Sequence, residues 1–585
     1  VGSEASGRGG EIGITTGTLS LTNGAEVKAS TFGRGDGGNI NITARDTVSL
    51  DDAGAASDVF PKAIGRGGNI TIDTGSLFLS NGAALSTSTF GREDGGNINI
   101  TARNTVSFDD SNAFSQVGSE AIGRGGDINI TTGKFSLTNG ARVDTSTFGR
   151  GDAGNINITA RDTVSFDGVD NENEASSGAF SATFMILGNA IGRGGDININ
   201  TGSLSLTNGA RVDARSLSQG DAGNITITAR DTVSFDGAGS NRLASGAFTN
   251  TANDFRGTDI GRGGDININT ASLYLTNGAR VDASTSGRGD AGNINITATD
   301  AVFFDGVGSD RSPSGAFSTV ESETIGRGGK IRINTDLLSI TNGAKLSASS
   351  EGEGSAGNIE VNANQLRLDR RGSIQAQTRS GQGGNITLNV RDYLLLRRGS
   401  SISTTAGTAR SGGDGGNITF NGNFIVAVPN ENSDISANAF TGKGGQVEIN
   451  AQGIFGIQSR PELTPFSDIA ASSEFGISGT VTLNTPDLDP SRGLESLPTA
   501  LVDPDALIAN SCLTRSNRQG SLTIAGSGGL AAQPDDLANS SFPTYELVPD
   551  PRPAATIERS SAGIVEPDGI YRLSNGELVL GRSCQ

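Results

Sequence analysis

The chain has no histidine, no tryptophan, one methionine, two cysteines and four tyrosines in 585 residues. Without imidazole there is no Ser-His or Cys-His nucleophile, no His-ligated zinc and no histidine general base, which removes most hydrolase and metalloenzyme chemistry. Positive charge is in deficit as well: 44 Lys and Arg face 63 Asp and Glu, a formal net charge of −19. Nucleic acid needs a concentrated basic surface and an anionic bilayer attracts polybasic segments, so neither is expected as a partner. No apolar run nears the ~20 residues of a membrane-spanning helix, and no membrane span is expected. Proline is scarce, with 15 residues, ten of which lie beyond residue 485.

Glycine is what the chain has, 87 residues, about twice the ~7% of average usage. It recurs on a period. Gly-Arg-Gly-Gly begins at Gly7, Gly65, Gly123, Gly192, Gly261 and Gly326, and Gly-Asn-Ile at Gly38, Gly96, Gly154, Gly223, Gly292 and Gly357. From the last glycine of each tetrad to the following Gly-Asn-Ile is always 28 residues, whereas the return step is 30, 30, 41, 41 and 37. One half-unit has a fixed length and the other absorbs insertions, chiefly within residues 168–190 and 237–259. Degenerate copies continue at Gly384, Gly416, Gly445 and Gly479, which makes about sixteen coils.

Within a coil apolar residues alternate, the signature of strand. In Gly223-Asn224-Ile225-Thr226-Ile227-Thr228-Ala229 the isoleucines and Ala229 share one face. Ser203-Leu204-Ser205-Leu206-Thr207 alternates likewise and ends at Asn208-Gly209, a turn pair that tolerates positive φ. Ala210-Arg211-Val212-Asp213-Ala214 is a third short piece, so three strands of about five residues are expected per coil. One coil has a single layer of inward side chains and no core of its own, and stacking coils in register supplies one. Aligned columns such as Leu50, Phe108, Phe166, Phe235, Phe304 and Val48, Val106, Val164, Val233, Val302 predict that stacking. The fold class is therefore all-β, a right-handed parallel β-helix, the hand taken by analogy with other coils of this length.

Val1-Gly2-Ser3-Glu4-Ala5 repeats Val117-Gly118-Ser119-Glu120-Ala121, so the chain is expected to start inside a coil of a longer protein, with any targeting sequence upstream. Residues 1–485 form the repeat domain and 486–585 a Pro-rich cap and tail. Asp503-Pro504 opens a short helix, and residues 569–580 a hairpin about Asn575-Gly576. Cys512 and Cys584 lie in this tail as a candidate disulfide, with two free thiols as the alternative.

Candidate chemistry is sparse. Arg-Gly-Asp stands at Arg34-Gly35-Asp36, Arg150-Gly151-Asp152 and Arg288-Gly289-Asp290, a receptor-recognition tripeptide that is also a variant of the glycine turn, since aligned coils read Gln219-Gly220-Asp221 and Arg92-Glu93-Asp94. Gly412-Gly413-Asp414-Gly415-Gly416-Asn417 resembles half of a calcium nonapeptide, without the tandem that such a site needs. The column Asp36, Asp94, Asp152, Asp221, Asp290 recurs with the coils, which favours a solvated turn over a singular acid site. Outward asparagines (Asn39, Asn97, Asn155, Asn224, Asn293) suit a ladder of amides along the rod or many weak glycan contacts, and no aromatic stripe for stacking sugars is expected. No catalytic residue, metal ligand or cofactor is assigned.

The alternation of Gly-Arg-Gly-Gly-Asn-Ile-Thr-Ile with Ser-Leu-Thr-Asn-Gly-Ala resembles filamentous-haemagglutinin-like exoproteins of two-partner secretion systems. The tail adds Leu497-Pro498-Thr499, Val502-Asp503-Pro504, Ile508-Ala509, Cys512 and Gly526-Ser527-Gly528-Gly529-Leu530, an order similar to the carboxyl-terminal end of large members of that family. The resemblance implies secretion through the outer membrane by a separate transporter as partner. It also implies a place at the cell surface and adhesion or aggregation through cell-surface or extracellular glycans or proteins. An autotransporter would end in a membrane barrel rich in aromatic girdles, but residues 486–585 hold only Phe542, Tyr545 and Tyr571. The enzymatic alternative is a β-helix lyase or hydrolase of acidic polysaccharides, which would gather Asp, Arg and Lys in one non-repeating cluster.

Overall fold

A computed structural model describes residues 1–2, 4–170, 172, 174–184, 190–251, 261–407 and 412–486, with the backbone of 569–572 and 578–581. The chain divides into two units, Val1–Asp487 and Leu488–Gln585. The first is a parallel β-helix of about fifteen turns, in which a 17-stranded and a 16-stranded sheet run along the axis. Coils are numbered below as layers, the first holding Ile12–Thr22.

Each coil carries one long strand and one short one, not three of equal length. Ile197–Thr207 pairs in register with Ile156–Asp167 before it and Ile225–Asp236 after it, and the three-residue strand Arg211–Asp213 pairs with Gly178–Phe180 and Gly246–Phe248. The two five-residue pieces read from the sequence are one strand bent at a bulge. Up to Ile331–Thr341 the long strands alternate between 11 and 12 residues, and the register shift falls where Gly202 faces the extra residue of Ala160-Arg161-Asp162. The third edge of the coil is a chain of single-residue parallel bridges, such as Thr31 to Val59 to Thr89.

The core is the stack of columns. Phe108, Phe166, Phe235 and Phe304 are sealed, and the intervening layers put Leu137, Leu206 and Leu275 between them. Phe135 enters from the valine column and meets Phe108 and Phe166 edge-on, with centroids 5.9 and 5.6 Å apart. Phe and Leu thus alternate up the column, large side chain against smaller, in the manner of a close-packed interior.

Two corners close each coil. At one, Asn208 and Gly209 adopt φ of 53° and 87°, the left-handed turn expected of Asn-Gly, and Asn208 Nδ2 donates to Asp167 of the layer below at 2.8 Å. At the other, glycines stack upon glycines: a Cβ on Gly154 would lie 2.0 Å from the Gly126 carbonyl oxygen, and one on Gly223 2.0 Å from that of Gly195. Inward Ser and Thr hydroxyls serve the carbonyls of this corner, Thr145 Oγ1 donating to Gly154 O at 2.7 Å and Ser57 Oγ to Gly38 O at 2.7 Å.

In their described part the insertions form small loops at the first corner, closed by the antiparallel bridges Val169 with Ser176, Ala238 with Ala244 and Val307 with Pro313. At the far end Gln458–Ser459 pairs on the outer edge of Asp468–Ala470, so the last short strand is covered, while Thr480–Asn484 is the final long strand. In the second unit Gly569–Arg572 and Leu578–Gly581 pair antiparallel on either side of Asn575-Gly576. Cys512, Cys584 and the helix read at Asp503-Pro504 lie outside the described residues.

Candidate functional site

Three surfaces gather polar or aromatic side chains. Along the glycine corner arginine and aspartate alternate layer by layer: Arg66, Asp94, Arg124, Asp152, Arg193, Asp221, Arg262, Asp290, Arg327. Each aspartate has a defined task. Oδ1 of Asp36, Asp94, Asp152, Asp221 and Asp290 accepts the backbone N–H of the arginine in the next layer at 2.8–2.9 Å. The column read as a solvated turn is thus a set of clamps between coils. A second run of side-chain oxygens, Asn69, Asn97, Asp127, Asn155, does the same for the N–H of each following layer. Open concavities of about 630 Å³ and 590 Å³ lie along this corner, the first about Arg193, Asp221, Arg262, Asp290 and Arg327. Its ion pairs are long and exposed, 3.8 Å from Arg193 to Asp221, and contribute little. Asp94→Ala should therefore cost about 1 kcal/mol through the unsatisfied Arg124 amide, and Asp94→Asn a few tenths, because the amide oxygen still accepts; thermal melts of the two variants separate these outcomes.

The short strands form a second arrangement, buried at Arg211 and Asp213 and half-buried at Arg142 and Arg280. Arg-Val-Asp and Gly-Ala-Phe alternate between layers, so Arg142, Arg211 and Arg280 lie over the rings of Phe180, Phe248 and Phe317 at 4.6, 3.8 and 4.1 Å. Asp213, fully buried, pairs with Arg215 at 2.8 Å and Arg211 at 3.4 Å. Burial, reinforced by Arg215, pushes the Arg211 guanidinium down to about 9, and it stays charged at neutral pH. Burial works against ionised Asp213, but Arg215 and Arg211 outweigh it and hold the carboxyl below its ordinary value. The arrangement repeats in three layers and is closed over about Arg211 and Asp213, which suits internal cohesion better than access for a substrate.

The third surface was not expected. Residues following the bridge positions of the third edge form a column of exposed or half-buried rings, Phe32, Phe60, Phe90, Phe148 and Phe184, in layers one, two, three, five and six. Phe32 stacks on Phe60 at 4.0 Å and Phe148 on Phe184 at 5.3 Å, while Phe90 lies across Gly118 of layer four. Beside them runs a second column, Arg34, Ile64, Arg92, Ile122, Arg150, Ile191. Phe32 and Phe90 are 46% and 41% exposed, and Ile64, Ile122 and Ile191 between 38% and 48%, a contiguous apolar ridge. The signal in the sequence is Thr-Phe-Gly-Arg at residues 31–34, 89–92 and 147–150, with Val59-Phe60-Pro61 at the same offset between the first two and Thr183-Phe184 after the last.

The Arg-Gly-Asp tripeptides fall in layers one, five and nine as flat rungs rather than loop tips. Gly35 and Gly151 have φ of 131° and 140°, and a Cβ on either would come within 1.9 Å of a carbonyl oxygen of the layer below. Asp36, Asp152 and Asp290 are the clamping aspartates already described, and Arg288 has Ser286 where Arg34 and Arg150 have Phe32 and Phe148. Asp414 of the half calcium motif clamps Lys443 N–H in the same way, at 2.7 Å. Among the described residues no cluster of three or more Asp, Glu, Cys or His is disposed to hold a metal ion.

Near the last layers two carboxylates are driven apart. Burial, with the charge of Asp468, pushes half-buried Asp434 up to about 6, against the hydrogen bond it accepts from Asp468 N–H at 3.0 Å. Asp468 is buried too, yet hydrogen bonds from Thr464 and Arg460 hold it below its ordinary value. Because the folded state binds the Asp434 proton more tightly than the unfolded chain, its contribution is present below about pH 4 and lost as pH rises to about 6. Asp434→Asn should thus stabilise the last layers by about 1–2 kcal/mol at pH 7 and change little at pH 4; thermal melts at the two values check this.

The geometry places the chain in the class of parallel β-solenoids. Compared with protein families, with curated proteins and with solved structures, the chain matches none.

Proposed function

We propose that this protein is a non-catalytic adhesive rod, secreted or held at the outer face of a Gram-negative-type envelope and exported by a separate two-partner transporter. Its work is attachment or cell aggregation through many weak contacts to cell-surface or extracellular glycans or proteins. The observation that supports this is the ridge of Phe and Ile exposed on consecutive layers of a regular solenoid. A line of equivalent contacts at a fixed spacing gains avidity without any deep pocket. The test is capture: beads coated with the full chain are counted on cell layers and against one another, beside beads carrying Phe32→Ser, Phe90→Ser and Ile122→Ser together. At least a tenfold loss of attachment or clumping is expected, and undiminished adhesion by the triple variant would remove the reading.

A polysaccharide lyase or hydrolase is the second reading, favoured by the split carboxylates Asp434 and Asp468. They are neighbours in one ladder rather than opposed across a cleft, and Asp468 is held by Arg460 and Thr464. Incubation with acidic polysaccharides, with and without calcium, decides: the rod reading expects no new unsaturated or reducing ends, and their appearance would replace it.

A further inference from the structure

We infer that the Phe and Arg/Ile ridge is a self-association surface on which two copies of this chain pack side by side, pointing the same way. The inference rests on the adhesive reading and names the partner of that site.

Self-complementarity is the main ground. About a two-fold axis parallel to the rod, the Phe column of one copy meets the Arg/Ile column of the other, layer against layer. Arg34, Arg92 and Arg150 then lie against Phe32, Phe90 and Phe148 of the other copy, and Ile64 and Ile191 against Phe60 and Phe184. Ile122 lies against the Phe90 ring where that ring crosses Gly118 of the other copy. Arginine over phenylalanine is already this chain's internal chemistry, made three times at 3.8–4.6 Å between its layers. Among the described residues Arg34, Arg92 and Arg150 have no side-chain hydrogen bond, ion pair or ring partner, although the protein is acidic overall. A linear glycan would use the rings but gain nothing from isoleucine in every second layer.

The ridge also has an end. Layer seven carries Leu217 and Gln219 in the two columns, layer nine Ser286 and Arg288, and in layer eleven Glu351 would face Glu353 of the other copy, so among the described residues the rings, and with them the contact, are confined to the first six layers. Five inter-layer steps give a strip about 24 Å long. Such a strip covers on the order of 400 Å² per partner, half the ~800 Å² of a standard interface. The pairing is accordingly weak between free chains and strong between arrays of them.

Sedimentation equilibrium of the full chain over a wide concentration range tests the proposal. A reversible dimer is expected, with association at least tenfold weaker in Arg34→Glu, Arg92→Glu, Arg150→Glu and in Phe32→Ser, Phe90→Ser, both of which melt like the parent because these side chains lie outside the core. In a background of Cys512→Ser and Cys584→Ser, copies carrying Phe90→Cys should cross-link to copies carrying Arg92→Cys and not to themselves. A chain that stays monomeric throughout, or a dimer indifferent to both variants, overturns the proposal. If the chain is monomeric but the variants abolish capture of cells or of a polysaccharide, the ridge binds that ligand, and the adhesive reading survives without self-association. If they change neither, both fall.

Discussion

Gly154→Ala should open the solenoid at layers five to seven, at a cost of about 4 kcal/mol or more, in the range reserved for gross steric conflict. The added methyl carbon would lie 2.0 Å from the carbonyl oxygen of Gly126 and 2.6 Å from its carbon, both of them backbone. Neither can rotate away, so relief requires the layers to part. Parting breaks the inter-layer hydrogen bonds beside Gly154, such as those from Ile128 N–H to Asn155 O at 2.9 Å and from Asn155 N–H to Asp127 Oδ1 at 2.8 Å. Gly24→Ala is the control. Gly24 has φ of 74° but nothing within 4 Å of the added carbon, so only the left-handed backbone resists, for about 1–2 kcal/mol. Because coils contact only their neighbours, the damage should be local. Limited proteolysis with mapping of the cut sites is the measurement: new cuts near residue 154 in the first variant, and none near residue 24 beyond those of the parent.

Phe166→Ala has the second largest expected effect, about 3–5 kcal/mol. The ring is fully buried between Leu137 and Leu206 and meets Phe135 edge-on at 85°. Truncation leaves a cavity that the fixed layer spacing prevents from closing. Phe166→Leu should cost about 1 kcal/mol, since leucine is what the adjoining layers place in this column. Phe32→Ala, at a 46% exposed ring, should leave the melt almost unchanged. Hydrogen exchange resolved by peptide reads all three: protection falls around residues 137–206 for Phe166→Ala and stays at the parent level for Phe32→Ala.

The columns that make the core were legible because they repeat at constant offset within a period-two pattern. Leu50, Phe108, Phe166, Phe235 and Phe304 needed only alignment of the glycine signatures, which counts about sixteen coils against the about fifteen turns of the fold. What pairs across layers was harder. Arg66 and Asp36 are 30 residues apart, and Arg193 and Asp152 are 41, so the clamping of Arg amides by Asp is visible only when adjacent half-units of different sequence are laid over each other. The same difficulty hid the Arg-over-Phe stacks, because Arg-Val-Asp and Gly-Ala-Phe belong to alternate coils. The exposed ridge escaped for a different reason: four of its five Phe stand before a Gly or Pro and read as single turn residues, and only stacking makes the five a surface. The bulge that joins two short strands into one was disguised as a break by Gly202 and its equivalents.

The central claim is that coils of unlike sequence stack in register at the spacing of strands in a sheet. Pairwise spin labels measure that directly. The residue at Asn99 is followed layer by layer by Asn129, Asn157, Asn198, Thr226, Asn267 and Asn295. With Cys512 and Cys584 replaced by serine, labels at 99 and 157, at 99 and 226, and at 99 and 295 should be separated by about 10, 19 and 29 Å, two, four and six layers at ~4.8 Å each. A linear rise with layer number is the predicted result. Separations that ignore layer number, or that differ between the 58-residue and 69-residue units, would contradict the account.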